Sequence, residues 1–141
     1  MKDGLIKYKV SFRIGGDMLD PIEITNILGI PADRSHRKGD ANTSISKKGK
    51  IIHYSSFGTG LWALETKEDE TAVLECHIKS LLAILYPLKD KLKEINQKGY
   101  KMDIFCGVFT YDAPQPGFDL SSETLLQLGE LNIALGMCIY P

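Results

Sequence analysis

From Lys7 to Ile14 apolar and polar residues alternate. Tyr8, Val10, Phe12 and Ile14 fall on one face, and Lys7, Lys9, Ser11 and Arg13 on the other. A period of two predicts a half-buried strand, which Gly15-Gly16-Asp17 closes. Asp20-Pro21 then predicts a helix over about residues 21–28. Asp20 caps the free amides and Pro21 fits the first helical position. Ile24, Ile27 and Leu28 make its apolar stripe, and Gly29 and Pro31 stop it.

Residues 31–49 lack any period and predict a long surface loop. Lys50–Phe57 and Leu61–Thr66 predict two strands, joined as a hairpin by Gly58-Thr59-Gly60, with Trp62 and Leu64 turned into the core. Glu68, Asp69 and Glu70 precede Leu74, Ile78, Leu81, Leu82 and Leu85, whose spacing predicts a helix over about residues 70–86. Pro87 predicts a kink or a second helix through Leu88, Leu92 and Ile95, closed by Gly99. Met102–Tyr111 reads as an apolar strand and 112–117 as a turn-rich loop. A short helix follows, capped by Ser121 or Ser122, with Leu125, Leu126 and Leu128 as its apolar positions. Leu131–Tyr140 reads as a last strand.

The order β-α-β-β-α(α)-β-α-β predicts an α+β two-layer sandwich. Its sheet is mixed or mostly antiparallel, with helices on one face: a ferredoxin-like βαββαβ arrangement with an added αβ unit. Glu23, Leu28 and Gly29 are echoed at the same spacing by Glu123, Leu128 and Gly129, the pattern a duplicated strand–loop–helix unit would leave. Any short capped helix ending in Gly would look the same.

The chain has 141 residues, 43% hydrophobic and 25% charged, which predicts one domain over 1–141 able to form a core without metal or disulfide staples. The N-terminus is interrupted by charges. The longest apolar run, Leu81–Tyr86, is far short of the ~20 residues that span a bilayer. The expectation is a cytoplasmic protein that does not enter a membrane. Cys76, Cys106 and Cys138 stand apart among apolar neighbours and read as free buried thiols.

Charge is lopsided. Residues 1–50 carry 10 basic and 6 acidic side chains, whereas 102–141 carry no Lys or Arg and 5 acids. Overall neutrality argues against general nucleic-acid binding, and the asymmetry leaves room for steering a charged partner.

The chain resembles the bacterial family catalogued as domain-of-unknown-function family 4279. The likeness rests on Phe12-Arg13-Ile14-Gly15-Gly16, on Leu19-Asp20-Pro21 followed by Glu23-Ile24-Thr25, and on Leu28-Gly29-Ile30-Pro31. It continues through Lys38-Gly39, Gly60-Leu61-Trp62, Leu64, the Leu-rich helix and Ile139-Tyr140. The resemblance implies no defined activity. By analogy with other small α+β families, an immunity protein that inhibits a toxin is one role it suggests.

No constellation of residues reads as catalytic, and no cofactor is indicated. His36, His53 and His77 lack ligand spacing, and Cys76 and His77 would diverge by about 100° on a helix, so no metal is expected. Cys106 sits in a core-like strand with no electropositive neighbour to activate it. Both glycine clusters read as turns, since neither continues into a phosphate-binding pattern. Asp17, Asp20 and Glu23, and again Asp112, Asp119 and Glu123, cluster at helix starts, where capping and the helix dipole account for them. A small hydrolase using those paired carboxylates, or a small-molecule-binding protein, is the alternative reading.

The segment Asp33–Lys50 stands out. Its six cations face only Asp33 and Asp40. Arg34, His36, Arg37, Lys38, Lys47 and Lys48 are therefore the expected partner-binding residues. The expected partner is an acidic protein, and the protein a non-catalytic binding module.

Overall fold

The computed structural model describes residues 5–141. Strand β1 (Lys7–Gly16) leads into helix α1 (Pro21–Leu28). The alternation seen in the sequence holds: Tyr8, Val10, Phe12 and Ile14 are all buried. The Asp20 side chain accepts from the Ile22 amide, and Gly29 ends α1 at φ 75°, a left-handed conformation that favours glycine.

Strand β2 (Arg34–His36) follows, then β3 (Asn42–Ile45), β4 (Ile51–Tyr54) and β5 (Gly60–Glu65). Helix α2 (Leu74–Leu85) runs through a 3₁₀ turn at Tyr86–Leu88 into α3 (Lys89–Gln97), so Pro87 does mark a break. Strand β6 (Lys101–Phe109), helix α4 (Ser122–Glu130) and strand β7 (Ala134–Tyr140) complete the chain.

The main sheet has the order β2-β5-β1-β6-β7. The first four strands are antiparallel neighbours, and β7 joins β6 in parallel. Leaving aside β3 and β4, β1-α1-β2-β5-α2/α3-β6 is the ferredoxin-like βαββαβ path, and α4-β7 is the added αβ unit.

Register explains the single core. Phe12 pairs with Leu64 and Ile104, and Ile14 with Trp62 and Met102, so their side chains share one face. Ile24, Leu28, Ile78, Leu81, Leu85, Leu92, Ile95 and Leu128 from the helices close over that face. Trp62 is fully buried; its Nε1–H donates to Thr25 Oγ1 of α1 at 3.0 Å, and Phe12 meets it edge-on. Gly60 opens β5 because a Cβ there would lie 2.8 Å from the Gly16 carbonyl oxygen.

Five expectations need correction. Residues 31–49 are not a structureless loop, since β2 and β3 lie within them. The expected hairpin across Gly58-Thr59-Gly60 does not form. Strand β4 pairs with β3 in a separate two-stranded sheet, while β5 pairs with β1 and β2. The physical reason is local closure: Ser46–Gly49 turns the chain at once, with Gly49 at φ 79° and Ser46 Oγ accepting from the Lys50 amide.

The second long helix starts at Leu74 rather than near 70. The preceding segment instead continues beside β1, with the Thr66 amide donating to the Val10 carbonyl and the Tyr8 amide to that of Glu70. On α4, Ser121 is the cap, but Leu125 and Leu126 face solvent; only Thr124 and Leu128 are buried. Cys76 is exposed and Cys138 intermediate, so only Cys106 is a buried thiol.

Among the described residues no helix is long and apolar enough to cross a membrane.

Candidate functional site

The residues between β2 and β5 build one projecting feature. At its base the Phe57 amide donates to the Asp40 carbonyl, and the Gly39 amide to that of Phe57. Beyond this bridge β3 and β4 pair from Asn42–Tyr54 to Ile45–Ile51. This two-stranded arm is exposed on both faces. Ile45 and Ile51 form one cross-strand pair, exposed by 75% and 63%. Ile52 and Tyr54 lie on the opposite face, exposed by 38% and 55%. Single exposed apolar residues are ordinary, but four on one isolated ribbon are not. A lone two-stranded hairpin is only marginally stable in water.

The six residues expected to bind a partner divide into two groups. Arg34, His36, Arg37 and Lys38 lie at the root. Arg34 Nε donates to Glu65 Oε1 at 2.6 Å, Arg37 Nη2 to Asp20 Oδ1 at 2.9 Å, and Lys38 Nζ to Asp17 Oδ2 at 3.3 Å. These pairs clamp the root to α1, to the loop before it and to β5. The His36 ring stacks on Phe57 at 3.5 Å between centroids, and desolvation lowers its pKa. Lys47 and Lys48 lie at the tip, exposed and with no ion-pair partner among the described residues. Lys50 is exposed beside them.

The apolar half of this surface escaped sequence reading. Ile45 fell within the expected loop, and Ile51, Ile52 and Tyr54 within a strand expected to pair with β5. The available signal was Ser46-Lys47-Lys48-Gly49, a turn flanked by β-branched residues.

Asp17 and Asp20, ahead of α1, are engaged locally. Asp20 caps α1. Hydrogen bonds from Thr59 and Lys38 hold the Asp17 carboxyl below its ordinary range. Glu75 accepts from the Ser121 amide, tying the start of α2 to the cap of α4. Among the described residues no three His, Cys, Asp or Glu side chains gather as metal ligands. Burial pushes the Cys106 thiol up to about 11, away from the thiolate a nucleophile needs.

The outer face of the main sheet is open. It carries Lys9, Arg13, Phe105, Phe109 and Tyr140 and holds a cleft of about 650 Å³.

Fold and surface together define an open-faced ferredoxin-like α+β protein with an inserted hairpin arm. The chain belongs to the domain-of-unknown-function family 4279 (Domain of unknown function, DUF4279), which it matches over residues 6–141. No curated protein and no solved structure matches it.

Proposed function

We propose that this protein is a non-catalytic binding module that docks an acidic protein partner through the β3–β4 arm. One observation carries the reading: a separate two-stranded ribbon exposes large apolar side chains on both faces and carries at its tip lysines with no ion-pair partner among the described residues. Burying Ile45, Ile51, Ile52 and Tyr54 on a partner would supply affinity. Lys47, Lys48 and Lys50 would steer an acidic surface to them. The clamps at Arg34, Arg37 and Lys38 would fix the angle of the arm beforehand and so lower the entropic cost of docking. An immunity protein, which neutralises a toxin by covering its working surface, is a role such an arm would serve. The three free thiols suit a reducing cytoplasm.

The test is affinity capture from native lysate with three baits: the native chain, Ile45→Ser/Ile51→Ser, and Lys47→Glu/Lys48→Glu. A stoichiometric protein held by the native chain and lost from both variants is expected. Recovery of the same proteins by all three baits would remove the arm from the account. Reversing Arg34, Arg37 and Lys38 is a poorer test, because it sets like charges against Glu65, Asp20 and Asp17 and loosens the root.

A further inference from the structure

Strand β7 is an edge of the main sheet, and it lacks the charges, prolines and bulges that keep edges from pairing. The chain carries no charged residue between Leu131 and Pro141. Pairing with β6 runs one to one from Ala134 to Tyr140, with no extra residue and no proline inside the strand. The other edge is blunted in the ordinary way: β2 is three residues long, polar, and carries Arg34. A seven-residue, uncharged, unbroken edge is a template for a further strand.

The alternation of the backbone fixes what this edge offers. The Tyr140 carbonyl accepts from the Thr110 amide just after β6. Tyr140 and, every second residue back, Cys138, Gly136 and Ala134 therefore turn their backbone groups toward β6. Leu135, Met137 and Ile139 turn theirs outward. Their side chains share the helix-covered face, because register sets them beside Ile104, Cys106 and Val108 of the core. Yet Met137 and Ile139 are 36% and 61% exposed. The helix layer stops short of this edge and leaves an apolar step along it.

An uncharged edge gives an acidic or basic partner nothing to read, whereas the chain itself supplies a strand that fits. Set antiparallel to a second copy about a two-fold axis at Met137, β7 places Leu135 against Ile139 of the other copy and Met137 against itself. Those are the outward-turned residues, so each pair exchanges both backbone bonds. The same register lays the Leu135, Met137 and Ile139 side chains of both copies along the step. The ladder also ends at matched points. Pro141, which has no N–H, falls opposite Ile133, whose amide already donates to the Leu128 carbonyl. Moving the axis to Cys138 or Gly136 sets Leu135 against Pro141 or Ile139 against Ile133, and neither opposite residue has an amide to give.

From this pattern we infer that the protein pairs with a second copy of itself through β7, joining two five-stranded sheets into one continuous sheet with its two-fold axis at Met137. The inference is independent of the arm, which springs from between β2 and β5 at the other end of the strand order.

Sedimentation equilibrium of the full chain over a range of concentrations should reveal a species of twice 15.7 kDa. Met137→Lys brings two ammonium groups together at the axis and should raise the dissociation constant about a hundredfold. Met137→Pro removes only an outward amide and should raise it about tenfold. Far-ultraviolet circular dichroism of both variants should match the native chain, since neither change removes a bond to β6. Register is read by disulfide trapping in a Cys76→Ser background, which takes away the exposed thiol on α2. Gly136→Cys should give a covalent dimer through Cys138 of the second copy, because opposed residues of this kind have Cα atoms about 4.5 Å apart. Its added Cβ meets Phe105 at an ordinary 3.9 Å. Cys138 alone should not link. A monomer at every concentration, a dimer that both Met137 variants leave intact, or linkage of Cys138 without Gly136→Cys would each overturn the inference.

Discussion

His77 is buried on α2 with no hydrogen-bond partner on either ring nitrogen among the described residues, and it shows how one side chain can oppose stability. An unpartnered buried polar group costs about 1–3 kcal/mol. His77→Leu should therefore raise unfolding free energy by about 1 kcal/mol in urea titrations at pH 7.5, and a loss would show that the ring is satisfied in solution. The pH dependence has a definite sign. Desolvation lowers the pKa of both His77 and His36, so the unfolded chain takes up protons first as pH falls. Their contribution is complete above the unfolded value of about 6.5 and is lost as pH drops from there through the folded values. Melts at pH 5 and 7.5 should show a smaller loss for His77→Leu than for the native chain. Trp62 is the opposite case, a buried polar atom with its partner in place. Thr25→Val strands its Nε1–H and should cost about 1–3 kcal/mol, read as a lower urea midpoint. That Trp62 is core was legible from alternation; its bond to Thr25 was not, because it spans α1 and β5.

At the scale of elements, legibility followed the range of the forces. Helix α1 was readable to the residue because Asp20, Pro21 and Gly29 act within one turn of its ends. Asp20→Ala removes the cap and the partner of Arg37, and should cost about 1 kcal/mol by thermal denaturation. An unchanged melting temperature would mean water caps the helix equally well. The face of α4 was misread because a run of leucines does not say which stripe a short helix buries. Thr124 and Leu128, four residues apart, face the core and leave Leu125 and Leu126 outside. Strands β2 and β3 escaped because they are short and polar, and nothing in them encodes their partners. For β2 the partner is β5, far along the chain. The acidic stretch Glu68-Asp69-Glu70 suggested a helix start, but it bends and turns instead, with the Tyr8 amide of β1 donating to the Glu70 carbonyl.

For the molecule as a whole, the α+β class, the mixed, mostly antiparallel sheet and the helices on one face followed from the succession of elements. The arm did not, because polar β3 passed for loop and β4 for the hairpin partner of β5. The charge asymmetry also resolves only in three dimensions. Half of the expected binding residues, Arg34, Arg37 and Lys38, are spent holding the root, and Lys47 and Lys48 are left to meet a partner. The root bridge between Asp40 and Phe57 closes the body beneath the arm, so the arm can be cut away without unravelling the sheet. The decisive measurement replaces Asn42–Tyr54 with Gly-Gly and compares the affinity of the captured partner for native and shortened chains, with thermal denaturation of both alongside. The account predicts that the shortened chain melts like the native one and binds about a hundredfold more weakly or not at all. Full affinity in a chain without the arm would contradict it.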